Sequence, residues 1–234
     1  IILLKMTHKL TILFDLDGTL VDTAPDLMKA HNHVMRKFGY STKGVDEIRN
    51  LVGKGASVLI GRSLWESAKK EFSKITNEKT KNEMVKEFIN YYAKNIVGES
   101  KLIEGVLDFL KWAKSKDISM GVCTNKQEHL AIDLLKKIDI YDYFNHVTGG
   151  NTFDYCKPDP RHLTSTIEII GGDIKNCLMV GDSENDADAA LAAGIPMILL
   201  EDGYTDKKIN QIHHDHLVKN FIGMEKIITK YLNG

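Results

Sequence analysis

The chain has 234 residues, of which 43% are hydrophobic and 27% are charged, a composition typical of a folded globular protein rather than a disordered one. Its 31 basic and 32 acidic residues leave a net charge of -1, so no overall basic excess exists to attract nucleic acid or an anionic membrane. No apolar stretch reaches the roughly 18 residues that cross a bilayer. We therefore expect a protein that binds neither nucleic acid nor membrane.

The chain contains three cysteines, Cys123, Cys156 and Cys177. Their number and spacing fit neither a disulfide framework nor a C-x-x-C metal site. Unpaired thiols are typical of proteins in a reducing compartment, so we expect a cytoplasmic location.

The first predicted element is a strand over residues 10–14, an apolar run rich in large and branched side chains. From residue 22 to 98 the apolar residues instead recur at helical spacing, as between Leu27 and Phe38, and no strand is predicted. This change of pattern predicts a helical domain at 22–98, inserted into a core domain formed by residues 1–21 and 99–234.

After residue 101, predicted strands and helices alternate. The predicted strands cover residues 118–123, 144–148, 178–180, 195–200 and 216–218. The predicted helices cover residues 106–113, 130–138, 160–170, 186–193 and 224–232. Strands separated by helices imply a parallel sheet that is covered on both faces. The predicted fold class is therefore α/β, with a Rossmann-like parallel-sheet core and an inserted α-helical cap domain.

Open parallel sheets bind their ligands at the carboxyl ends of the strands, so the residues that directly follow each predicted strand are the candidates for a site. These residues are Asp15 and Asp17 after the first strand, Thr124 and Asn125 after 118–123, Lys157 in the loop after 144–148, and Asp182 and Asp186 after 178–180. The topology brings four carboxylates, a hydroxyl and an ammonium to one rim of the sheet.

Ionised carboxylates cannot lie close together without a cation between them. Acidic oxygen ligands suit Mg²⁺, a hard ion that also binds substrate phosphate. One carboxylate of the pair Asp15 and Asp17 can attack phosphorus, while its neighbour acts as general acid and base. Lys157, Thr124 and the backbone N–H groups of residues 16–18 can stabilise the charge on the transferred phosphoryl group. Glycine at position 18 permits a tight turn there.

These motifs resemble those of a known family. Residues 15–20, Asp-Leu-Asp-Gly-Thr-Leu, are similar to the first motif of the haloacid dehalogenase (HAD) superfamily of phosphatases. Thr124-Asn125 resembles its second motif, Lys157-Pro158 its third, and residues 181–186, Gly-Asp-Ser-Glu-Asn-Asp, its fourth. The helical insertion that follows the first motif resembles the C1 cap of the superfamily.

The resemblance implies a phosphoric monoester hydrolase that works through an aspartyl-phosphate intermediate. It implies that Asp15 is the nucleophile and Asp17 the general acid and base. Mg²⁺ would be held by Asp15, the backbone carbonyl of Asp17 and Asp182. Asp186 would act on the metal through water and would orient Lys157. The residues expected to bind the substrate at this rim are Gly18, Thr124, Asn125 and Lys157.

The cap segment at residues 51–60 resembles that of the bacterial phosphoglycolate phosphatases, which makes 2-phosphoglycolate the expected substrate. This small phosphorylated metabolite carries a carboxylate beyond its phosphate, so the cap is expected to present a cation. Lys54, which lies between two glycines, is the first candidate for that cation, ahead of Arg49 and Arg62.

Other functions share much of this pattern. Another small-metabolite phosphatase of the superfamily, a nucleotidase or a phosphosugar mutase would carry the same four motifs. A noncatalytic phosphate-sensing or partner-binding protein could keep the same fold, although the presence of both Asp15 and Asp17 favours an enzyme. Asp17 also argues against a dehalogenase, whose halide leaving group needs no proton. A monomer and a small homo-oligomer are both compatible with the sequence.

Overall fold

The computed structural model describes residues 9–70 and 77–232, and its core is a six-stranded sheet. The strands of this sheet are β1 (Thr11–Phe14), β4 (Ser119–Cys123), β5 (His146–Thr148), β6 (Cys177–Gly181), β7 (Met197–Leu200) and β8 (His216–Val218). They lie in the order β5-β4-β1-β6-β7-β8, and every neighbouring pair is parallel. The central strand β1 therefore lies between β4 and β6, and the carboxyl ends of these three strands meet at one edge.

Strand β1 shows how the sheet is buried on both of its faces. Ile12 and Phe14 pack into one apolar cluster, whereas Leu13 points to the opposite face and packs into a second cluster. The ring of Phe14 lies 6.1 Å from that of Phe109 and 6.2 Å from that of Phe221. All four residues of β1 are buried, and three of them are large and apolar, which is what a parallel sheet covered on both faces requires.

Helices form the two covering layers. The helices that follow residue 102 in the chain are α5 (Val106–Ser115), α6 (Glu128–Lys137), α7 (Pro160–Ile170), α8 (Glu184–Ala193) and α9 (Met224–Leu232). Helix α7 begins at a proline, which has no N–H to lose in the first turn, and Asp159 caps it by accepting from the Arg161 backbone N–H. None of the described helices is both long and apolar enough to cross a membrane. The predicted α/β class and its Rossmann-like parallel sheet are confirmed.

A helical segment is inserted between two short strands, β2 (Val21–Asp22) and β3 (Lys101–Leu102), which pair antiparallel. Its described helices, which together we name the cap, are α1 (Ala24–Lys37), α2 (Val45–Arg49), α3 (Ala56–Lys70) and α4 (Glu78–Lys94). The β2–β3 pair was not predicted, because strands of two residues are too short to show an alternating pattern. The division into domains at residues 22–98 stays a prediction.

The return of the chain from the cap to the core is fixed by one buried carboxylate. Asp26 in α1 accepts hydrogen bonds from the backbone N–H groups of Gly98, Glu99 and Ser100 and from the Ser100 hydroxyl, at 2.7 to 3.0 Å. Burial acts to raise the pKa of Asp26, but these hydrogen bonds outweigh it and lower the pKa below its usual value.

The predicted bounds of α7, β8 and α9 agree with the structure, and two strands begin two residues later than predicted. The strand predicted at 195–200 begins at Met197, because Pro196 has no N–H to donate to a ladder. The strand predicted at 144–148 begins at His146, a few residues after a short 3₁₀ turn at Tyr141–Tyr143. Both differences lie away from the carboxyl edge of the sheet.

Candidate active site

The three central strands deliver polar residues to a common rim. Asp15 directly follows β1, and its backbone N–H continues the ladder by donating to the Val180 carbonyl at 3.0 Å. Thr124 directly follows β4 and is buried, and Asp182 directly follows β6. The parallel register of the sheet thus brings together side chains that are far apart in the chain, as predicted.

The centre of the rim is a cluster of three buried carboxylates. Asp15, Asp182 and Asp186 each offer an oxygen, and these oxygens all lie within 4.8 Å of one another. Burial raises the pKa of Asp15 to about 6, against the opposing charge of Lys157. Burial also raises the pKa of Asp182 well above its usual value, and the charges of Asp15 and Asp186 add to this effect. The three carboxylates therefore repel one another when ionised, and a bound cation would reduce this repulsion.

Lys157 supplies a positive charge inside this cluster. Its Nζ donates to Asp15 Oδ1 at 2.9 Å, to Asp186 Oδ1 at 2.7 Å and to the carbonyl oxygen of Cys123. Burial acts to lower the pKa of Lys157, but Asp15 and Asp186 raise it above the ordinary value, so the side chain stays charged. One ammonium does not balance three carboxylates, and a divalent cation would supply the missing charge.

The remaining contacts of Asp182 come from other loops, whereas those of Asp186 come from its own loop. Asp182 accepts from the Thr19 hydroxyl at 2.8 Å and from the Tyr204 backbone N–H at 2.6 Å. Asp186 Oδ2 accepts from the Ser183 backbone N–H at 3.0 Å and from the Ser183 hydroxyl at 2.8 Å. Asp186 thereby completes a capping box at the start of α8 while its other oxygen accepts from Lys157 Nζ.

Asp17 has a separate set of partners. Its carboxylate accepts from the Thr23 hydroxyl at 2.6 Å and from Lys126 Nζ at 2.8 and 3.1 Å. Lys126 was not singled out from the sequence, although it directly follows Thr124-Asn125 and that position could have indicated it. The two acidic side chains of the first motif therefore each have their own ammonium, Lys157 for Asp15 and Lys126 for Asp17.

Gly18 forms the tight turn that was predicted. Its φ is +87°, and a Cβ at this position would lie 2.3 Å from Asp182 Oδ2. Its backbone N–H donates to the Val21 carbonyl at 2.8 Å, so this N–H is engaged inside the turn rather than directed at a phosphate. The need for glycine here comes from the backbone conformation and from the close approach of Asp182.

The cap is docked on the rim through a glycine carbonyl. Asn125 Nδ2 donates to the Gly53 carbonyl at 3.1 Å and to the Lys157 carbonyl at 2.8 Å, and Asn185 Nδ2 also donates to Gly53 at 3.2 Å. Lys54, next to Gly53, lies with its Nζ 2.8 Å from Glu184 Oε1. The substrate role expected of Lys54 stays a prediction, but its ammonium is already paired with a carboxylate of the core.

The two other cap cations that were considered are paired as well. Arg49 donates to Asp22 Oδ2 at 2.8 Å, and Arg62 is hydrogen-bonded to Asp206. These contacts join the cap to the core outside the carboxylate cluster.

A cavity lies between the cap and the rim. Its floor includes Asp15, Asp17, Thr124 and Lys126. The cap side chains that line it are Leu27, Val52, Ala56, Leu59, Phe88, Ile89 and Tyr92. A charged floor under an apolar roof excludes water and strengthens the electrostatic interactions of a bound anion.

Comparison with known proteins agrees with this geometry. Residues 12–200 match the family model of the haloacid dehalogenase-like hydrolases. The chain is 39% identical over 223 residues to a phosphoglycolate phosphatase of Agrobacterium fabrum, and the alignment covers 93% of this chain and 94% of that protein. It is 36% identical over 210 residues to a phosphoglycolate phosphatase of Mesorhizobium japonicum, with 90% of each chain covered.

A solved structure shares the whole fold. The crystal structure of a predicted phosphoglycolate phosphatase from Haemophilus somnus matches with a TM-score of 0.89 at 30% identity, and covers 95% of this chain and 99% of that one. The predicted superfamily and the predicted class of enzyme, a phosphoric monoester hydrolase, are confirmed by these matches. Phosphatases of this superfamily generally use a divalent metal ion, which agrees with the buried aspartate cluster. The chain belongs to the haloacid dehalogenase-like hydrolase family.

Proposed function

We propose that this protein is a Mg²⁺-dependent phosphatase that hydrolyses 2-phosphoglycolate to glycolate and phosphate. The observation that carries the proposal is the pair of neighbouring carboxylates, Asp15 and Asp17, each held by its own ammonium at the rim of the sheet. The phosphoglycolate phosphatases to which the chain is similar over nearly its whole length support the choice of substrate.

The buried oxygens of the rim fit a hard divalent cation. Asp15, Asp182 and the backbone carbonyl of Asp17 would hold it directly, with Asp186 acting through water. Mg²⁺, when bound, would balance the carboxylates and the phosphate charge. The raised pKa values of Asp15 and Asp182 support this assignment, because they show how costly the cluster is without a compensating charge.

In the first chemical step a carboxylate oxygen of Asp15 attacks phosphorus. An O–P bond to Asp15 forms while the bond between phosphorus and the glycolate oxygen breaks. Asp17, in its protonated form, donates its proton to that departing oxygen, so glycolate leaves as the alcohol. Lys157 keeps Asp15 in place and, with the Thr124 hydroxyl, stabilises the charge on the phosphoryl oxygens.

In the second step Asp17, now a carboxylate, accepts a proton from water as the water oxygen attacks phosphorus. The bond between phosphorus and Asp15 breaks, which releases phosphate and restores both aspartates to their starting forms. The apolar roof of the cavity limits the entry of other water molecules.

We also propose that the enzyme works in the cytoplasm. Cys123, Cys156 and Cys177 are all free thiols, as expected in a reducing compartment.

A substrate panel tests the proposal. With Mg²⁺ present we expect kcat/KM for 2-phosphoglycolate to exceed that for glucose 6-phosphate and AMP by at least about 10-fold, which corresponds to about 1.4 kcal/mol of transition-state discrimination. Excess EDTA should abolish turnover, and so should Asp15→Asn. The matched control is Asp188→Asn, which removes an exposed carboxylate from α8 and should leave turnover unchanged. A preference for the hexose phosphate or the nucleotide would contradict the assigned substrate.

A further inference from the structure

The ammonium beside the proposed acid and base has room for another partner. Lys126 is buried, with 5% of its side chain exposed, and its Nζ lies 2.8 and 3.1 Å from the two oxygens of Asp17. An ammonium has three N–H donors, of which Asp17 can take two. Lys126 therefore can bind a second anion without releasing Asp17.

A phenol from the cap lies against the same ammonium. Lys126 Nζ is 4.4 Å from the centre of the Tyr92 ring, and Tyr92 is 1% exposed. The Tyr92 Oη is buried and has no hydrogen-bond partner among the described residues, although Tyr92 lines the cavity. A buried hydroxyl without a partner costs free energy, so its position in a substrate cavity points to a ligand atom that completes it.

The chemistry of the leaving group decides which ligand atom this is. In 2-phosphoglycolate a single CH₂ separates the oxygen that Asp17 protonates from the carboxylate. The group that binds the carboxylate must therefore be an immediate neighbour of Asp17, as Lys126 is. Lys54 is instead paired with Glu184.

We propose that Lys126 and Tyr92 together bind the carboxylate of the leaving group, so that the site selects phosphate esters of short hydroxy acids. The inference rests on the function proposed above and assigns its specificity to these two residues. Lys126 supplies the charge and Tyr92 an O–H donor from the cap, and charge-assisted hydrogen bonds of this kind are among the stronger ones in proteins.

The rest of the cap surface excludes larger polar leaving groups. Among the described cap residues that line the cavity, Tyr92 alone has a polar side-chain atom. The ring hydroxyls of a sugar phosphate would face side chains such as Leu27, Leu59 and Phe88, which offer them no hydrogen bonds. A glycolate carboxylate, in contrast, would find both of its partners at one end of the cavity.

The test compares 2-phosphoglycolate with ethyl phosphate, which has the same chain length and no carboxylate. In the Mg²⁺-loaded enzyme, Tyr92→Phe and Lys126→Met should each reduce the preference for 2-phosphoglycolate over ethyl phosphate by about 10- to 100-fold, mainly through KM. Tyr91→Phe is the matched control, because it removes a phenol oxygen from the position of α4 that precedes Tyr92. This variant should keep the wild-type preference for 2-phosphoglycolate over ethyl phosphate.

Binding supplies a readout that is independent of turnover. In the inactive Asp15→Asn background, calorimetry should show that Tyr92→Phe weakens the binding of 2-phosphoglycolate by a similar factor. The affinity for ethyl phosphate should stay unchanged. An unchanged preference in Tyr92→Phe, or a loss of preference in Lys54→Gln alone, would overturn the inference while leaving the phosphatase proposal intact. A wild-type enzyme that hydrolyses other phosphate esters but not 2-phosphoglycolate would overturn the proposed function itself, and the inference with it.

Discussion

The charge of Asp15 provides a quantitative test of whether the rim is built around a cation. Asp15 is 5% exposed, and burial raises its pKa from 3.8 to about 6, with Lys157 opposing the effect and the charges of Asp186 and Asp17 adding to it. The substitution Asp15→Asn keeps the shape of the side chain and its ability to accept from Lys157, but removes the charge. Without metal, this variant should be more stable than the wild type at pH 8.

The expected size follows from proton linkage. The pKa of Asp15 is 3.8 in the unfolded chain and about 6 in the folded one, so the folded state binds this proton more tightly. The stabilisation of the folded state by this proton is fully present below pH 3.8 and is lost as the pH rises through about 6. At roughly 1.4 kcal/mol per pKa unit, the free energy of unfolding of the wild type therefore falls by about 3 kcal/mol. Asparagine carries no such penalty, so the variant gains up to about 3 kcal/mol at pH 8 and little near pH 4.

Urea unfolding monitored by circular dichroism, in EDTA at several values between pH 4 and 8, measures this difference. Added Mg²⁺ should stabilise the wild type at pH 8 and have much less effect on Asp15→Asn, because the variant lacks one of the proposed ligands. Asp188→Asn, the exposed control on α8, should follow the wild type throughout. An Asp15→Asn variant that is less stable than the wild type at pH 8 in EDTA would refute the reasoning.

Three further changes have defined outcomes. Gly18→Ala should lower Mg²⁺ affinity, measured by calorimetry, and kcat by at least about 10-fold, because its Cβ would lie 2.3 Å from Asp182 Oδ2. The control Gly171→Ala, at a glycine with a similar φ and open space around it, should leave both quantities unchanged. Asp26→Asn should lower the free energy of unfolding, measured in urea at pH 7, by about 1–3 kcal/mol. The difference from the wild type should shrink as the pH falls through the lowered pKa of Asp26, and a difference that does not change with pH would contradict the charge assigned to Asp26. Burial lowers the pKa of His162 to about 3, so the free energy of unfolding of the wild type should fall as the pH drops below 6.5. His162→Leu should lose less stability over the same pH range, and equal losses in the two proteins would contradict this reasoning.

The acidic rim could be predicted because each of its members is tied to a strand that the sequence reveals. Asp15, Asp182 and Lys157 follow apolar runs whose length and composition indicate buried parallel strands. Parallel topology then places their side chains at one edge without any knowledge of tertiary contacts. For the same reason the sheet was predicted correctly, while the two-residue strands β2 and β3 were not.

The contact between Lys126 and Tyr92 could not be predicted, because it depends on how the cap packs on the core. Tyr92 lies on an amphipathic helix, where a buried aromatic residue indicates core packing, and only the docking of α4 brings it to Lys126. Lys54 looks like a free cation between glycines, and nothing local to it reveals the pairing with Glu184 across the cap–core boundary. Local patterns therefore locate the residues of the rim, whereas the contacts between the cap and the core depend on long-range packing.

The proposed transfer of the phosphoryl group to Asp15 can be measured directly. Enzyme mixed with ³²P-labelled 2-phosphoglycolate and Mg²⁺, quenched in acid within milliseconds and digested, should carry label on the peptide that contains Asp15, and Asp15→Asn should carry none. Label on a different peptide, or release of phosphate by Asp15→Asn at the wild-type rate, would contradict the proposed nucleophile.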